Sequence, residues 1–342
     1  MPVIGVLTAG GDCPGLNAVI RGVTVRTLQT DSGEVVGIKN GWEGLMEGDT
    51  VPLDRDEVRG ILYRGGTILG TSRMDPYVHG DGYESCARTI KRNGLDSLIV
   101  VGGDGTLRSA LRLSQEGLPV VGVPKTIDND IAGTDVTFGF HTAVQIATDA
   151  IDRLASTAES HNRVIVVEVM GRTKGWIATY AGMAGGADAI LIPEVPYDLD
   201  SVADILRRRH RRGRRYSIVV VAEGLELPAG TPQPKTRKDA FGFDRLGGVG
   251  YQIAGILEEL TSFETRVSVL GHIQRGGTPS AFDRVLATRL GVAAAEFALA
   301  GQQGVMAAVR GPDIVAVPME EACAEIRGVP QLMYDTAAAF FG

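Results

Sequence analysis

The chain has 342 residues, of which 44% are hydrophobic, and a formal net charge of −7. This length suits one large or two ordinary domains, and the negative charge excludes a globally basic nucleic-acid-binding protein. No apolar run approaches the roughly 18 residues of a membrane helix, so we expect no membrane association. Cys13, Cys86 and Cys323 lie far apart, and the chain enters a strand pattern without signal-peptide features. Both observations predict a cytoplasmic protein without a disulfide framework or a zinc site.

The first predicted strand, residues 3–7, runs into a glycine-rich turn and a helix. The turn resembles a dinucleotide-binding loop, but G-x-G-x-x-G counted from Gly10 meets Asp12, whose charge would face a pyrophosphate. We therefore prefer a phosphate cradle for a metal-bound nucleotide over a nicotinamide-binding loop. Further along, two glycine turns with an arginine at each end occupy residues 64–73. They suit the rim of a nucleotide site, although alone they favour an ordinary loop.

The central prediction is a βαβ unit with two polar loops. A buried strand at residues 98–101 leads through GGDGT to a helix, and a second strand covers residues 120–123. Backbone N–H groups at the helix start form an anion cradle, and a carboxylate inside it, Asp104, indicates a Mg²⁺ ligand. The second strand ends in PKTIDND, where Asp128 and Asp130 share one side of an extended segment. One of them could accept a proton; the alternative is that both are turn and N-cap residues.

The second half of the chain repeats the alternation of strands and helices. Strands are predicted at residues 164–169, 216–222 and 267–270, and helices near 143–156, 249–260 and 281–300, followed by a weakly patterned tail. Residues 207–215 contain seven arginines. We interpret this run as a solvated helix end, with an anionic effector site or subunit contact as the alternative. It contains no aromatic residue, which argues against nucleic acid. Residues 226–243 are predicted to form an exposed loop.

At least six apolar strands with polar, glycine-rich ends predict a doubly wound α/β fold with two similar sheets. Among the charged residues in the loops at the ends of the predicted strands, arginines outnumber carboxylates. This excess indicates a multiply anionic ligand. Phosphoryl transfer fits this set: Asp104 would bind the metal, Asp128 would act as the base, and Arg172 with Thr126 would stabilise charge. Glu223 would accept sugar hydroxyls.

Six motifs in order, among them GGDGT, PKTIDND, VEVMGR and GHIQRGG, make the chain resemble the 6-phosphofructokinases across nearly its whole length. The resemblance implies Mg²⁺-dependent transfer of a phosphoryl group to O1 of fructose 6-phosphate, in glycolysis. It implies a donor domain (1–138 with about 255–305) and a sugar-phosphate domain (139–254 with about 306–342). It also implies a homotetramer, or alternatively a dimer, in which Arg163 and Arg266 reach a neighbouring subunit's site. The implied donor residues are Gly11, Arg73, Met74, Gly103, Asp104, Gly105 and Thr106, and the implied sugar-phosphate residues are Thr126, Ile127, Asp128, Arg163, Met170, Gly171, Arg172, Glu223, Arg266, His272, Ile273, Gln274 and Arg275.

Two positions bear on whether the donor is ATP or pyrophosphate. In the family that the chain resembles, pyrophosphate-dependent members carry an aspartate at the position of Gly105 and a lysine at that of Lys125, whereas typical bacterial ATP-dependent members have glycine at both. The chain combines Gly105 with Lys125, as in the mixed-donor actinobacterial subgroup. Because a side chain at 105 would fill the space for the α-phosphate of ATP, we expect ATP as the donor, with pyrophosphate as the alternative.

Other functions are less consistent with the motifs. Lys174 adds a cation after Arg172, so a different sugar phosphate remains an alternative acceptor. An NAD or lipid kinase should lack the HIQRGG and MGR segments, and a catalytically inactive sugar-phosphate sensor would be expected to have lost Asp104 or Asp128. Both aspartates are present.

Overall fold

The structure, a computed structural model, describes residues 1–78, 80–227 and 246–342. The predicted exposed loop at 226–243 therefore lies almost entirely outside the described residues. The chain divides into two compact units, unit 1 with Met1–Thr142 and Arg275–Ile326, and unit 2 with Ala143–Gln274 and Arg327–Gly342. These boundaries differ from the predicted domain limits because residues 255–274 pack with the sheet of unit 2, whereas residues 305–318 extend the sheet of unit 1.

The elements alternate between strand and helix along most of the chain. The strands are β1 (Val3–Thr8), β2 (Glu34–Ile38), β3 (Thr50–Pro52), β4 (Ser97–Gly102), β5 (Val120–Thr126), β6 (Phe138–Gly139), β7 (Val164–Val169), β8 (Ala189–Leu191), β9 (Ser217–Ala222), β10 (Thr265–Val269), β11 (Val305–Arg310) and β12 (Asp313–Pro318). The α-helices are α1 (Leu16–Thr27), α2 (Trp42–Glu47), α3 (Gly82–Arg92), α4 (Asp104–Gln115), α5 (Phe140–His161), α6 (Trp176–Ala184), α7 (Leu199–Arg211), α8 (Val249–Thr261), α9 (Ala281–Leu299), α10 (Met319–Ala324) and α11 (Gln331–Ala338). Short 3₁₀ helices cover Pro76–Val78 and Gly271–Arg275.

The sheet of unit 1 has eight strands, in the order β12-β11-β5-β4-β1-β2-β3, with β6 paired to β5. The inner strands are parallel, and the two edge strands, β12 and β3, are antiparallel to their neighbours. All six residues of β4 are buried, as expected for a strand that is covered on both faces. The carboxyl ends of β1, β4 and β5 lead into the loops that carry Gly11, Gly103 and Asp128.

Within the described part of unit 2, the sheet has four parallel strands in the order β10-β7-β9-β8. β7 and β9 are fully buried and form its centre. Helices α7 and α8 contribute Val202, Leu206, Ile253 and Leu257 to a core that includes Val166 and Val219. The carboxyl ends of β7 and β9 lead into the loops of Arg172 and Glu223.

The predicted class, α/β with mainly parallel sheets, is confirmed. The predicted strands agree with β1, β4, β7, β9 and β10 to within two residues at each end, whereas β5 continues three residues past its predicted end, to Thr126. The prediction that the tail is weakly patterned was wrong, because it forms β11, β12, α10 and α11. The helix predicted to end near Ser156 continues to His161. The glycine-rich stretch after β2 is also partly helical, since α2 begins at Trp42.

A search of the described helices finds none that combines the length and the apolar character needed to cross a membrane.

Candidate functional site

The first cradle lies at the amino-terminal end of α4. Gly103 is the N-cap residue and supplies no capping side chain, so this helix end relies on other acceptors for its first N–H groups. The positive end of the helix dipole favours an anion there. A Cβ at Gly103 would lie 3.3 Å from the carbonyl oxygen of Lys125, so a side chain would crowd this end.

Asp104 opens α4 and forms an ion pair with Arg108, at 2.9 Å between Oδ1 and Nε. Within the described ranges there is no group of three or more His, Cys, Asp or Glu side chains that could hold a metal ion. A single carboxylate nevertheless fits Mg²⁺, which commonly binds one or two carboxylates, water and the phosphates of a substrate. Asp104 is thus compatible with a metal that arrives with a phosphate ligand.

Gly105 faces open space. A Cβ built on this residue meets no atom within 4 Å, and the residue lies in the regular first turn of α4. The space that the sequence analysis assigned to a nucleotide phosphate is therefore not filled by the described protein atoms.

Two basic side chains reach the loop between β1 and α1. Lys125 Nζ donates a hydrogen bond to the carbonyl oxygen of Gly11, and Arg275 Nη1 donates to the carbonyl oxygen of Asp12 at 3.2 Å. Lys125 is only 3% exposed. Burial lowers the pKa of its ammonium group from 10.5 to about 8. A cation so close to the loop strengthens the positive potential around Gly11.

Asp128 has the features of a buried base. Its side chain is 6% exposed, and its Oδ1 atom has no hydrogen-bond partner among the described residues. The loop around it is fixed, because Thr126 Oγ1 accepts the Asp128 N–H at 3.0 Å and Asn129 Oδ1 accepts the Thr137 N–H at 3.0 Å. A buried carboxylate oxygen is costly without a partner, so this atom is suited to a ligand that donates a proton.

In unit 2, the loop after β7 has an unusual backbone. Arg172 has a φ of 55°, in the left-handed region, and Gly171 has a φ of 144°. Glu223 Oε1 accepts the Arg172 N–H at 3.0 Å. A Cβ at Gly224 would lie 1.9 Å from the Arg172 carbonyl oxygen, so the end of β9 must carry glycine there. This hydrogen bond and the close approach at Gly224 therefore hold the loops at the carboxyl ends of β7 and β9 against each other.

Arg163 and Arg266 lie elsewhere in unit 2. Arg163 directly precedes β7, and Arg266 is the second residue of β10. Both guanidinium groups contact Oε1 of Glu264, at 2.8 Å for Arg163. The six residues of β7 separate Arg163 from Met170 by roughly 20 Å at about 3.3 Å per residue. The structure therefore does not bring Arg163 together with Arg172 within one unit.

The remaining predicted residues lie at loops and strand ends. Arg73 and Met74 lie in the segment before the 3₁₀ helix Pro76–Val78, and Met74 is partly buried against the core. Thr106 lies in α4 and Ile127 is fully buried in unit 1. In unit 2, Met170 follows β7, and the second 3₁₀ helix contains His272, Ile273 and Gln274, of which only Gln274 is buried.

Other observations concern residues that the sequence analysis left open or did not single out. Lys174 Nζ lies beside the carboxyl-terminal segment of unit 2, 3.6 Å from a Cβ built at Gly328. Arg207 and Arg209 of the arginine run are paired with Asp204 and Asp188, and α7 ends within the run. Glu264 was not predicted as an ion-pair partner of the two arginines. It lies directly before the strand that carries Arg266, and no sequence motif marks this position.

Taken together, the parallel sheets, the glycine-rich anion cradles and the buried carboxylate at a strand end define an α/β protein suited to phosphate ligands. The phosphofructokinase family model matches residues 3–298. The chain is 53% identical to the pyrophosphate–fructose 6-phosphate 1-phosphotransferase of Amycolatopsis methanolica and 54% identical to the ATP-dependent 6-phosphofructokinase of Mycobacterium tuberculosis strain H37Rv, covering 99% of both chains in each comparison. It therefore belongs to the phosphofructokinase family.

The fold comparison agrees. The Pichia pastoris phosphofructokinase in the T-state superposes with a TM-score of 0.85 and 33% identity over 99% of this chain, which spans 36% of the Pichia chain. The pyrophosphate-dependent phosphofructokinase from Marinobacter aquaeolei gives a TM-score of 0.83 at 23% identity, over 100% of this chain and 92% of that one. At this low identity, the second comparison supports the fold alone.

Proposed function

We propose that the protein transfers the terminal phosphoryl group of Mg-ATP to O1 of fructose 6-phosphate and forms fructose 1,6-bisphosphate. The observation that carries this proposal is the unpartnered, buried Oδ1 atom of Asp128 in the unit that also contains the cradle of α4. Relatives named as ATP-dependent 6-phosphofructokinases, more than 50% identical over their whole length, support the same reaction.

In the proposed reaction, Asp128 accepts the proton of the sugar hydroxyl as that oxygen attacks the γ-phosphorus of ATP. The bond from this phosphorus to the oxygen that bridges it to the β-phosphate breaks, and ADP leaves. Thr126, whose Oγ1 atom already accepts the Asp128 N–H, and Arg172 stabilise the charge of the phosphoryl group in flight. Asp104 would hold Mg²⁺, which supplies charge neutralisation on the phosphate oxygens. Glu223 would accept a hydrogen bond from a sugar hydroxyl.

Pyrophosphate is the second candidate donor. It is favoured by relatives that are named as pyrophosphate-dependent at 51–53% identity. The open space beside Gly105 favours ATP, because a nucleotide needs room for its α-phosphate. We judge the open space to be the stronger argument, since relatives at 52% and 54% identity are named as ATP-dependent.

We further propose a cytoplasmic homo-oligomer, a tetramer or a dimer, in which Arg163 and Arg266 act on a neighbouring copy's sugar phosphate. The separation of roughly 20 Å along β7 supports this, because it exceeds the reach of an arginine side chain. Three buried free cysteines are consistent with a reducing compartment.

The test is steady-state turnover of fructose 6-phosphate with Mg-ATP and with Mg-pyrophosphate, measured side by side. We expect turnover with ATP to exceed turnover with pyrophosphate. Turnover with pyrophosphate alone would show that the open space at Gly105 does not decide the donor. A lack of turnover with both donors would contradict fructose 6-phosphate as the acceptor, and other sugar phosphates would then be assayed.

A further inference from the structure

Three consecutive carbonyl groups of the loop between β1 and α1 are bound by side chains of unit 1. The Gly10 carbonyl accepts from Thr71 Oγ1 at 2.7 Å, the Gly11 carbonyl from Lys125 Nζ, and the Asp12 carbonyl from Arg275 Nη1 at 3.2 Å. We call residues 10–13 the donor loop. Because three separate side chains each bind one carbonyl, the orientation of its peptide planes is set from outside the loop.

The orientation of the carbonyls fixes that of the amides. In a trans peptide the C=O and the following N–H point in opposite directions, and the described residues contain no cis peptide bond. Carbonyls 10, 11 and 12 point at their donors, so the N–H groups of Gly11, Asp12 and Cys13 point away from them. Successive backbone N–H groups in a turn can form an anion-binding concavity.

Lys125 lies close beneath this loop. A Cβ built on Gly10 would be 3.5 Å from Lys125 Nζ, and a Cβ built on Gly11 would be 2.9 Å from Arg275 Nη1. The ammonium group therefore contacts the backbone of the donor loop from the side of its carbonyls. A phosphate bound by the opposite N–H groups would lie on the other side of the peptide planes.

We propose that Lys125 is a positioning residue, which orients the peptide planes of the donor loop through the Gly11 carbonyl and so sets affinity for the terminal phosphates of either donor. It does not choose between ATP and pyrophosphate, because both carry the terminal phosphates that the loop would bind. This inference rests on the proposed function for the identity of the donors, but the effect on the loop itself is independent of any substrate.

The charge on Lys125 is sensitive to pH. Burial lowers the pKa of its ammonium to about 8, and the charged or titratable groups that face it are Cys13, Arg275, Asp128 and Asp12. Burial raises the pKa of the Cys13 thiol, so this cysteine stays neutral in the range of interest. As the pH rises from 7 to 9, Lys125 loses its charge and the bond to the Gly11 carbonyl loses its charge-assisted strength.

The first test is hydrogen exchange of the free enzyme with Lys125→Met, which keeps the length of the side chain and removes the ammonium. We expect exchange of the Gly10 amide, which donates to the Ser72 carbonyl oxygen at 3.0 Å, to become about tenfold faster, as for the loss of one charge-assisted hydrogen bond. Lys91→Met makes the same change on the exposed face of α3 and should leave this exchange unaltered. Unchanged exchange in Lys125→Met would overturn the proposal, whatever the enzyme's substrates are.

The second test is kinetic. In Lys125→Met we expect KM for Mg-ATP and for Mg-pyrophosphate to rise by a similar factor, about tenfold, for each donor that the wild type uses. KM for fructose 6-phosphate should stay within about twofold. An increase for pyrophosphate alone would make Lys125 a donor-selecting phosphate ligand and would overturn the positioning role.

A third measurement needs no variant, so it holds even if Lys125→Met folds poorly. In the wild type, protection of the Gly10 amide, corrected for intrinsic exchange, should fall as the pH passes through about 8. Protection that is constant from pH 7 to pH 9 would contradict the proposal.

Discussion

Glu223 Oε1 accepts the backbone N–H of Arg172 at 3.0 Å, and Arg172 has a left-handed backbone with a φ of 55°. A non-glycine residue in this region carries strain that its surroundings must offset. The carboxylate at the end of β9 thus holds the backbone of the arginine to which we assign charge stabilisation. In this interpretation Glu223 has two roles. It accepts a hydrogen bond from the Arg172 backbone, and it would accept one from a hydroxyl of the sugar.

Substitution of Glu223 should separate these roles. Glu223→Gln keeps an oxygen acceptor for the Arg172 N–H, whereas Glu223→Ala removes it. We expect kcat/KM for fructose 6-phosphate to fall by about tenfold or more in Glu223→Ala and by less in Glu223→Gln. Glu226→Gln, on an exposed residue of the same segment, is the matched control. Equal losses in the two Glu223 variants would mean that the charge of the carboxylate matters and its bond to Arg172 does not.

Asp128→Asn should abolish base catalysis and leave the fold intact. We expect kcat to fall by roughly 10²–10⁴-fold with little change in KM for the donor. The melting temperature should stay the same or rise, because the substitution removes a buried carboxylate with an unpartnered oxygen. Asp56→Asn on the exposed surface provides the control for both measurements. A variant that loses stability together with activity would assign Asp128 to the fold.

Gly105→Asp tests the donor argument without disturbing the protein. No atom lies within 4 Å of a Cβ at this position, and a carboxylate in the first turn of α4 is favourable for the helix dipole. We expect an unchanged melting temperature and a KM for Mg-ATP that is higher by about tenfold or more, because the new charge repels a nucleotide phosphate. Gly255→Asp, at an equally open helical glycine in α8, should change neither quantity. Normal ATP kinetics in Gly105→Asp would reject Gly105 as the determinant of the donor.

Complementation between inactive variants can test the shared site. If Arg163 and Arg266 serve a neighbouring copy, co-expression of Asp128→Asn with Arg163→Ala/Arg266→Ala should yield hybrids in which one site has all its residues. We expect activity in the mixed oligomers that is well above the average of the two parent proteins. Activity that never exceeds this average would place both arginines outside the reacting site.

The parts of the fold that could be predicted are those where one physical signal dominates. Uninterrupted apolar runs such as that of β4 identify buried parallel strands, and glycine-rich segments after them identify the cradles. β11 and β12 were missed because the edge strand β12 buries one of its six residues, Val317, and their turn, at Gly311, resembles a loop. The ion pair of Glu264 with Arg163 joins two residues that are far apart in sequence, so no local pattern could indicate it.

In the candidate site, too, some residues are indicated by the sequence, whereas contacts between distant residues are not. Asp104 and Asp128 are conspicuous in the sequence, because carboxylates among phosphate-binding groups need a chemical reason, and their roles stay predictions. The bond of Lys125 to the Gly11 carbonyl could not be predicted, since 114 positions separate the two residues. From the sequence, Lys125 is a residue that bears on the choice of donor, whereas in the structure its ammonium group contacts the backbone of Gly11.

The antiparallel edge strands of the unit 1 sheet have a consequence for association between molecules. β3 ends at Pro52 and β12 at Pro318, and proline has no N–H to offer to a further strand. β3 is only three residues long, and β12 begins with an exposed aspartate. Short length, proline and charge are the devices that prevent sheets from joining edge to edge. Both edge strands of this sheet therefore disfavour pairing with a further strand, and cross-β aggregation through them is disfavoured.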